Sequence, residues 1–197
     1  MIYIYGDSHA NNSFNGLKIS HVNNFYPSVT MHRIGRDNII VNFDNSQHCD
    51  DDILCFVYGE IDCRCHIQRQ IDSGKNEDYI IEELVQKYFI TIQNNIKKYK
   101  KIIIVGIIPQ VARNDYENIN GPIDHEFPFV GSDEDRVKYT YKINKLIEDN
   151  CKSKDYVYFN PYSFYTNENG TLNFGFSDQQ VHLRNNEHFL EEFYLLL

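Results

Sequence analysis

The chain has 197 residues, 42% hydrophobic and 14% aromatic, with no Trp and a formal net charge of −9. This length and apolar content suit one globular domain with an adequate core and exclude a disordered chain. An acidic surface with Lys and Arg interspersed repels phosphate backbones, so no nucleic-acid partner is expected. No apolar run approaches the roughly 20 residues of a membrane span, so no membrane partner is expected either.

Met1 leads straight into a strand pattern, without a basic segment or a small-residue cleavage site. A cytoplasmic location is the expectation. The five cysteines are then free thiols in a reducing compartment, and Asn169-Gly170-Thr171 marks only a turn.

In chain order, Ile2 to Tyr5 reads as a first strand. Phe14 and Leu17 mark a short helix, and His21 to Tyr26 a second strand. The continuous apolar run Ile53 to Tyr58, ending at Gly59, is a buried strand by length and flanks. From Glu77 to Tyr99 apolar residues recur at helical spacing, and Lys97, Lys98, Lys100 and Lys101 close that helix as solvated cations. Ile102 to Pro109 is a strand, and 110–132 a long irregular stretch of the kind that forms lids or binding loops. Asp133 to Asp149 is a helix, Tyr156 to Phe159 the last core strand, and Glu187 to Leu197 the terminal helix. Five strands joined by long crossovers predict an α/β fold, a three-layer α/β/α sandwich around a parallel sheet. Right-handed crossovers favour the flavodoxin-like order 2-1-3-4-5, with the first strand central. The whole chain, 1–197, reads as one domain. Its end in Phe193-Tyr194-Leu195-Leu196-Leu197 leaves open that it is cut from a longer protein.

Gly6-Asp7-Ser8-His9-Ala10 follows the first strand directly. A serine delivered from a buried strand onto a glycine turn stands where open parallel sheets bind ligands, outside the carboxyl ends of the strands. At the other terminus Val181-His182-Leu183 opens the last helix. An imidazole titrates near neutrality and can take the proton of a serine hydroxyl, provided the fold brings the termini together. Cys63, Cys65 and His66 lie close in sequence, but Cys-x-Cys-His lacks the spacing of common structural zinc sites. On a strand extension Cys63 and Cys65 point the same way, into the core, so no metal is expected. No phosphate-cradling loop or dinucleotide fingerprint follows the first strand.

Gly6-Asp7-Ser8, a glycine at position 35, Gly59-Glu60-Ile61-Asp62 and His182-Leu183 resemble, in order, the sequence blocks of the SGNH (GDSL-type) hydrolase superfamily. Gly106 to Pro109 resembles a strand end of these proteins, and the spacing covers nearly the whole chain. The resemblance implies acyl transfer through Ser8, with His182 as its base and the Ser8 N–H as one oxyanion donor. Gly35, in Arg33-Ile34-Gly35-Arg36, matches the second-block glycine, or is an ordinary turn glycine. Two departures stand out. Ile61 occupies the position of the family's oxyanion asparagine. Either the hole has two donors or Arg64 replaces the amide, directed by Glu60 and Asp62; equally, these three form a structural ion-pair network. The acid expected three residues before His182 is Gln179, so Asp178 orients the imidazole, or a Ser–His dyad operates. Asp7 is a turn-fixing residue, His9 lines the pocket, and His188 matches a structural helix position.

The Gly-Asp-Ser-His-Ala variant is similar to SGNH domains associated with surface-glycan O-acetylation. By analogy the substrate is an acyl, most simply acetyl, ester of a carbohydrate, and the activity an esterase that needs no cofactor. The alternatives are a sugar acetyltransferase using a donor such as acetyl-CoA, and a catalytically silent glycan-binding domain. Arg33, Arg36 and Arg64, if they converge, suit an anionic substrate such as a nucleotide-sugar. The oligomeric state is not legible.

Overall fold

A computed structural model of the chain describes residues 1–123 and 126–197. Asp124 and His125, part of the stretch read above as a long loop, lie outside the described residues. The strands are β1 (Ile2–Gly6), β2 (His21–Phe25), β3 (Ile53–Val57), β4 (Lys101–Val105) and β5 (Val157–Phe159). They form one parallel sheet in the order β2-β1-β3-β4-β5, as the crossover lengths predict. The middle strand is β3 rather than β1, which lies between β2 and β3.

Strand periodicity divides the core in two. Tyr5, Leu54, Phe56, Ile102 and Ile104 face one layer of helices, while Ile2, Ile4, Cys55, Val57, Ile103 and Val105 face the other. The first layer holds α2 (Met31–Asp37), α3 (Ile67–Asp72), α4 (Glu77–Asn95) and α6 (Asp133–Lys154). The second holds α1 (Ser8–Ser13), α5 (Arg113–Asn120) and α7 (Glu187–Tyr194).

Several boundaries differ from the sequence expectation: β4 ends at Val105 rather than Pro109, α7 ends at Tyr194 rather than Leu197, and α2 and α3 form where no helix is expected. α4 stops at Asn95 because Ile96 turns extended, so Lys97, Lys98 and Lys100 lie in the connection and Lys101 opens β4. α6 runs past Asp149 to Lys154, held at its start by a Ser132–Asp135 capping box and ended by Asp155 in the left-handed region. The stretch 110–132 is not wholly irregular, since α5 forms inside it, anchored where Tyr116 packs edge-on against Phe129.

The two termini meet in the second layer. Phe14, just past α1, packs edge-on against Phe189 and Phe193 of α7, with ring centroids 5.0 and 4.8 Å apart. Asn186, the cap residue of α7, shares the two hydrogens of Nδ2 among the carbonyls of Asn12, Ser13 and Asn15, at the end of α1 and just past it. Of the three, the Asn12 carbonyl also accepts from the Asn15 N–H (3.3 Å). Phe189→Ala is expected to lower stability by about 3–5 kcal/mol and Asn186→Ala by about 1–3 kcal/mol, both read from urea denaturation midpoints.

Candidate active site

Ser8 is placed by the turn behind β1. A side chain at Gly6 would meet Ala10 Cβ at 2.4 Å and the Val57 carbonyl at 2.7 Å, so only glycine lets α1 begin here and fold against β3. Asp7 caps the helix as expected of a turn-fixing residue. Its Oδ1 accepts from the His9 N–H (2.9 Å) and its carbonyl from the Ala10 N–H (3.1 Å). The Ser8 N–H, first in α1, keeps no partner among the described residues. The chain leaves β1 toward β2 and leaves β3 toward β4, so Ser8 stands at the switch point of the sheet.

His182 comes from the segment between β5 and α7. Val181 and Leu183 on either side are buried in the second core layer and leave the imidazole on the opposite side of the strand-like segment. Ser177 bridges Leu183, and the Asp178 N–H donates to the His182 carbonyl (2.9 Å). Within this tight loop Gln179 takes a left-handed φ of 65°, which turns the chain so that Asp178, rather than Gln179, faces the imidazole. His182 Nδ1 lies 2.8 Å from Asp178 Oδ2, and its Nε2 lies 2.8 Å from Ser8 Oγ. Burial raises the Asp178 carboxyl, but the hydrogen bond from His182 and the N–H groups of Gln180 and His182 outweigh it and hold it below its ordinary range. An ionised Asp178 fixes the proton on Nδ1, so the Nε2 lone pair accepts from the Ser8 hydroxyl.

Beside this triad lies a row of buried charges. His9 Nε2 is 3.1 Å from Glu60 Oε2, and Arg64 Nε is 3.1 Å from Glu60 Oε1, an ion pair without hydrogen-bond alignment. All three residues are at most 5% exposed. Burial pushes the Glu60 carboxyl up, yet Arg64 and His9 bring it down to about 2. Burial likewise disfavours the His9 imidazolium, but Asp7 and Glu60 outweigh it and raise its pKa. The His9 ring lies against that of His182, with centroids 4.7 Å apart.

Several expected site residues stand elsewhere. Gly35 lies inside α2, where a Cβ would meet Lys87 Cβ at 2.8 Å. It is a close-packing glycine between α2 and α4, and as the fifth residue of the helix its N–H belongs to the helical ladder, not to an oxyanion. Arg36 and Arg33 are exposed and pair with Asp37 at the end of α2, so they do not converge with buried Arg64. Asp62 does not direct Arg64. Its carboxylate accepts from the Met31 and His32 N–H groups (2.7 and 3.2 Å) and caps α2, while burial pushes it up to about 7. Ile61 is buried and apolar, so no amide stands at the third block. Residues Asp62–His66 form a π-helical turn rather than a strand extension. Cys63 and Cys65 are buried all the same, and burial raises both thiols, that of Cys65 to about 12. The His188 ring lies against that of Phe164, with centroids 4.2 Å apart and tilted by 34°. Among the described residues no group of three or more metal-ligating side chains is assembled.

Asn186 is the structural partner that sequence reasoning missed. An asparagine before a helix reads as an ordinary cap, and no local signal shows that its amide serves a different helix. A cleft of about 450 Å³ lies beside the loop of Asp178, lined by Ser177, Gln179, Arg184 and Asn185 and by none of the triad residues. A larger groove of about 550 Å³, lined by Ile107, Pro109, Tyr141, Asn144 and Tyr158, contains none of the triad residues.

No protein-family model and no curated protein sequence matches the chain. Solved structures do. A Streptococcus pneumonia protein provisionally described as a platelet activating factor is 13% identical, with a TM-score of 0.68 over 99% of this chain and 82% of that one. A GDSL-like lipase from Bacteroides thetaiotaomicron is 16% identical, with a TM-score of 0.54 over 99% and 85%. A catalytic mutant of an acetylxylan esterase from Geobacillus stearothermophilus is 12% identical, with a TM-score of 0.55 over 99% and 91%. At these identities the likeness establishes architecture: the chain has the SGNH/GDSL hydrolase fold, a three-layer α/β/α sandwich.

Because Asp62 serves the backbone of α2, Asp62→Ala is expected to act on stability. It should lower the urea midpoint by an amount equivalent to about 1–3 kcal/mol and leave the chemistry at Ser8 within a few-fold of the parent.

Proposed function

We propose that the protein is a serine-dependent acyl-transfer enzyme, an esterase that removes acyl groups, acetyl in the simplest case, from a carbohydrate. The observation that carries this reading is the unbroken hydrogen-bond chain Ser8–His182–Asp178, with both links at 2.8 Å. The substrate class is taken from the acetylxylan esterase among the similar structures and rests on analogy.

Ser8 Oγ attacks the ester carbonyl carbon as its proton passes to His182 Nε2. Asp178 stabilises the imidazolium that forms. His182 then gives the proton to the departing sugar oxygen, the C–O bond breaks, and the acyl group remains on Ser8. Water attacks this acyl-enzyme, yields its proton to His182, and the carboxylic acid leaves as Ser8 recovers its hydrogen. Charge on the carbonyl oxygen meets the unpartnered Ser8 N–H. A missing oxyanion donor costs about 3–4 kcal/mol, so the apolar Ile61 calls for a replacement. Arg64 is our candidate. It is ion-paired with Glu60 at 3.1 Å, and its buried Nε makes no hydrogen bond to the described residues.

Ser8→Ala is expected to abolish hydrolysis of p-nitrophenyl acetate and acetylated oligosaccharides, and Asp178→Asn to lower kcat by about 10⁴-fold. A fluorophosphonate should label Ser8, and wild-type protein should release free acetate without an added acceptor. Absence of both label and acetate release would overturn the reading in favour of a silent domain. Acetylated sugar appearing only with a donor such as acetyl-CoA would mark a transferase. Arg64→Met should lower kcat by about 10²–10³-fold with little change in KM; an unchanged kcat would remove Arg64 from the oxyanion role.

A further inference from the structure

A small chamber of about 10 Å³ lies where the ends of β1, β3 and β4 meet. Asp7, His9, Glu60 and Tyr162 form its polar walls, and Val57, Ile107 and Ile108 are among its apolar ones. Each of these residues is at most 4% exposed. Glu60 is engaged by His9 Nε2 and by Arg64. Three other wall atoms, Asp7 Oδ2, His9 Nδ1 and Tyr162 Oη, are buried and meet no aligned hydrogen-bond partner among the described residues. A buried donor or acceptor left in that condition carries its full desolvation cost. The three atoms come from two distant segments, the turn before and after Ser8 and the chain beyond β5, and they face one space.

We propose that the chamber is a binding site for one water molecule, which bridges Asp7 Oδ2, His9 Nδ1 and Tyr162 Oη and so ties the turn at Ser8 to the chain beyond β5. The size fits, since the centre of one water needs roughly 10–15 Å³. The polarity fits as well: apolar cavities stay dry, whereas a buried water takes two to four polar partners. The hydrogen bonds can be counted. Glu60, paired with Arg64, can only accept, so His9 Nε2 carries the proton between them. With Nδ1 bare, the water donates to Nδ1 and to Asp7 Oδ2 and accepts from the Tyr162 hydroxyl. With Nδ1 protonated, the water accepts from it and from Tyr162 and donates to Asp7. Three bonds form in either case, so the site does not depend on the charge of His9. Ser13 Oγ stands beside the Tyr162 hydroxyl and can donate to its oxygen, which leaves the phenol proton for the water. A metal ion suits the chamber less well, because among the described residues no group of three metal-ligating side chains forms. Asp7 already caps α1 through Oδ1. With Oδ2 held too, both oxygens of the residue directly before Ser8 are fixed. The site stands apart from the acyl-transfer reading, since a silent domain would bind this water equally.

A high-resolution crystal structure of the wild-type protein tests the site directly. One ordered water should stand roughly 2.5–3.2 Å from each of the three atoms. In solution the same water should give NOE and ROE cross peaks of opposite sign to the ring protons of His9 and Tyr162, the mark of a long-lived internal water. These peaks should persist on both sides of the ordinary histidine pKa of about 6.5. Tyr162→Phe removes one of the three partners while keeping the ring. In that variant the water and its cross peaks should be lost, and the urea midpoint should fall. A wild-type chamber without ordered water overturns the proposal. So does an occupant about 2.0–2.4 Å from the oxygens, where a metal ion sits, and so does a water that stays in place in Tyr162→Phe. If that variant does not fold, the wild-type density and cross peaks still decide. None of these readouts depends on turnover. Failure of the wild-type protein to react with a fluorophosphonate would sink the acyl-transfer reading alone, and a dry chamber would sink only the water site.

Discussion

Everything at the site depends on one docking event: the segment that carries His182 has to lie on the helix that carries Ser8. The two residues are 174 positions apart. Their 2.8 Å contact follows from packing further back, where Phe14 sits among Phe189 and Phe193 and the Asn186 amide closes the open end of α1. Aromatic contact supplies the driving force and is tolerant of direction. The hydrogen bonds of one amide, its two hydrogens shared among three carbonyls, are directional and set how far and at what angle the last segment approaches. Val181 and Leu183 then bury on the same side and leave His182 on the other.

A second constraint is electrostatic. Asp7, His9, Glu60 and Arg64 are each at most 5% exposed. Burying isolated charges costs several kcal/mol each, so such a group is tolerable only if its members compensate one another. Capping and pairing do this together: Asp7 answers the N–H groups that open α1, and Glu60 lies between a guanidinium and an imidazole. Asp62, in the neighbouring turn, answers the start of α2 in the same way. Glu60 and Asp62, read together in the sequence as directing Arg64, thus have separate partners in space.

Legibility followed the range of the determining interaction. The contact among Ser8, His182 and Asp178 could be anticipated because Ser8 follows a strand and a glycine turn, and because Asp178 and His182 belong to one short loop. Gly35 was misread because a glycine before an arginine can mean an open backbone or a tight helix contact, and only the position of Lys87 on α4 decides between them. The arginines failed for a related reason. Arg33 and Arg36 look like neighbours of a site in sequence, but the helix carries them to its far end and Asp37 engages both. α5 escaped notice because Arg113 to Asn120 offers only Tyr116 and Ile119 as apolar residues and several residues of low helix propensity; it is held by Tyr116 on Phe129, a contact between segments.

By itself the sequence determined the alternation of buried strands and amphipathic helices, hence the parallel sheet and its strand order, since apolar periodicity and crossover length are local properties. It also determined which serine stands at a strand end. Tertiary structure alone decided that His182 and Asp178 come within hydrogen-bond reach of one another and of that serine, and where the glycines and arginines lie relative to them. Those choices depend on distances of about 3 Å between segments far apart in the chain, and a linear pattern carries no information at that scale until the core has packed.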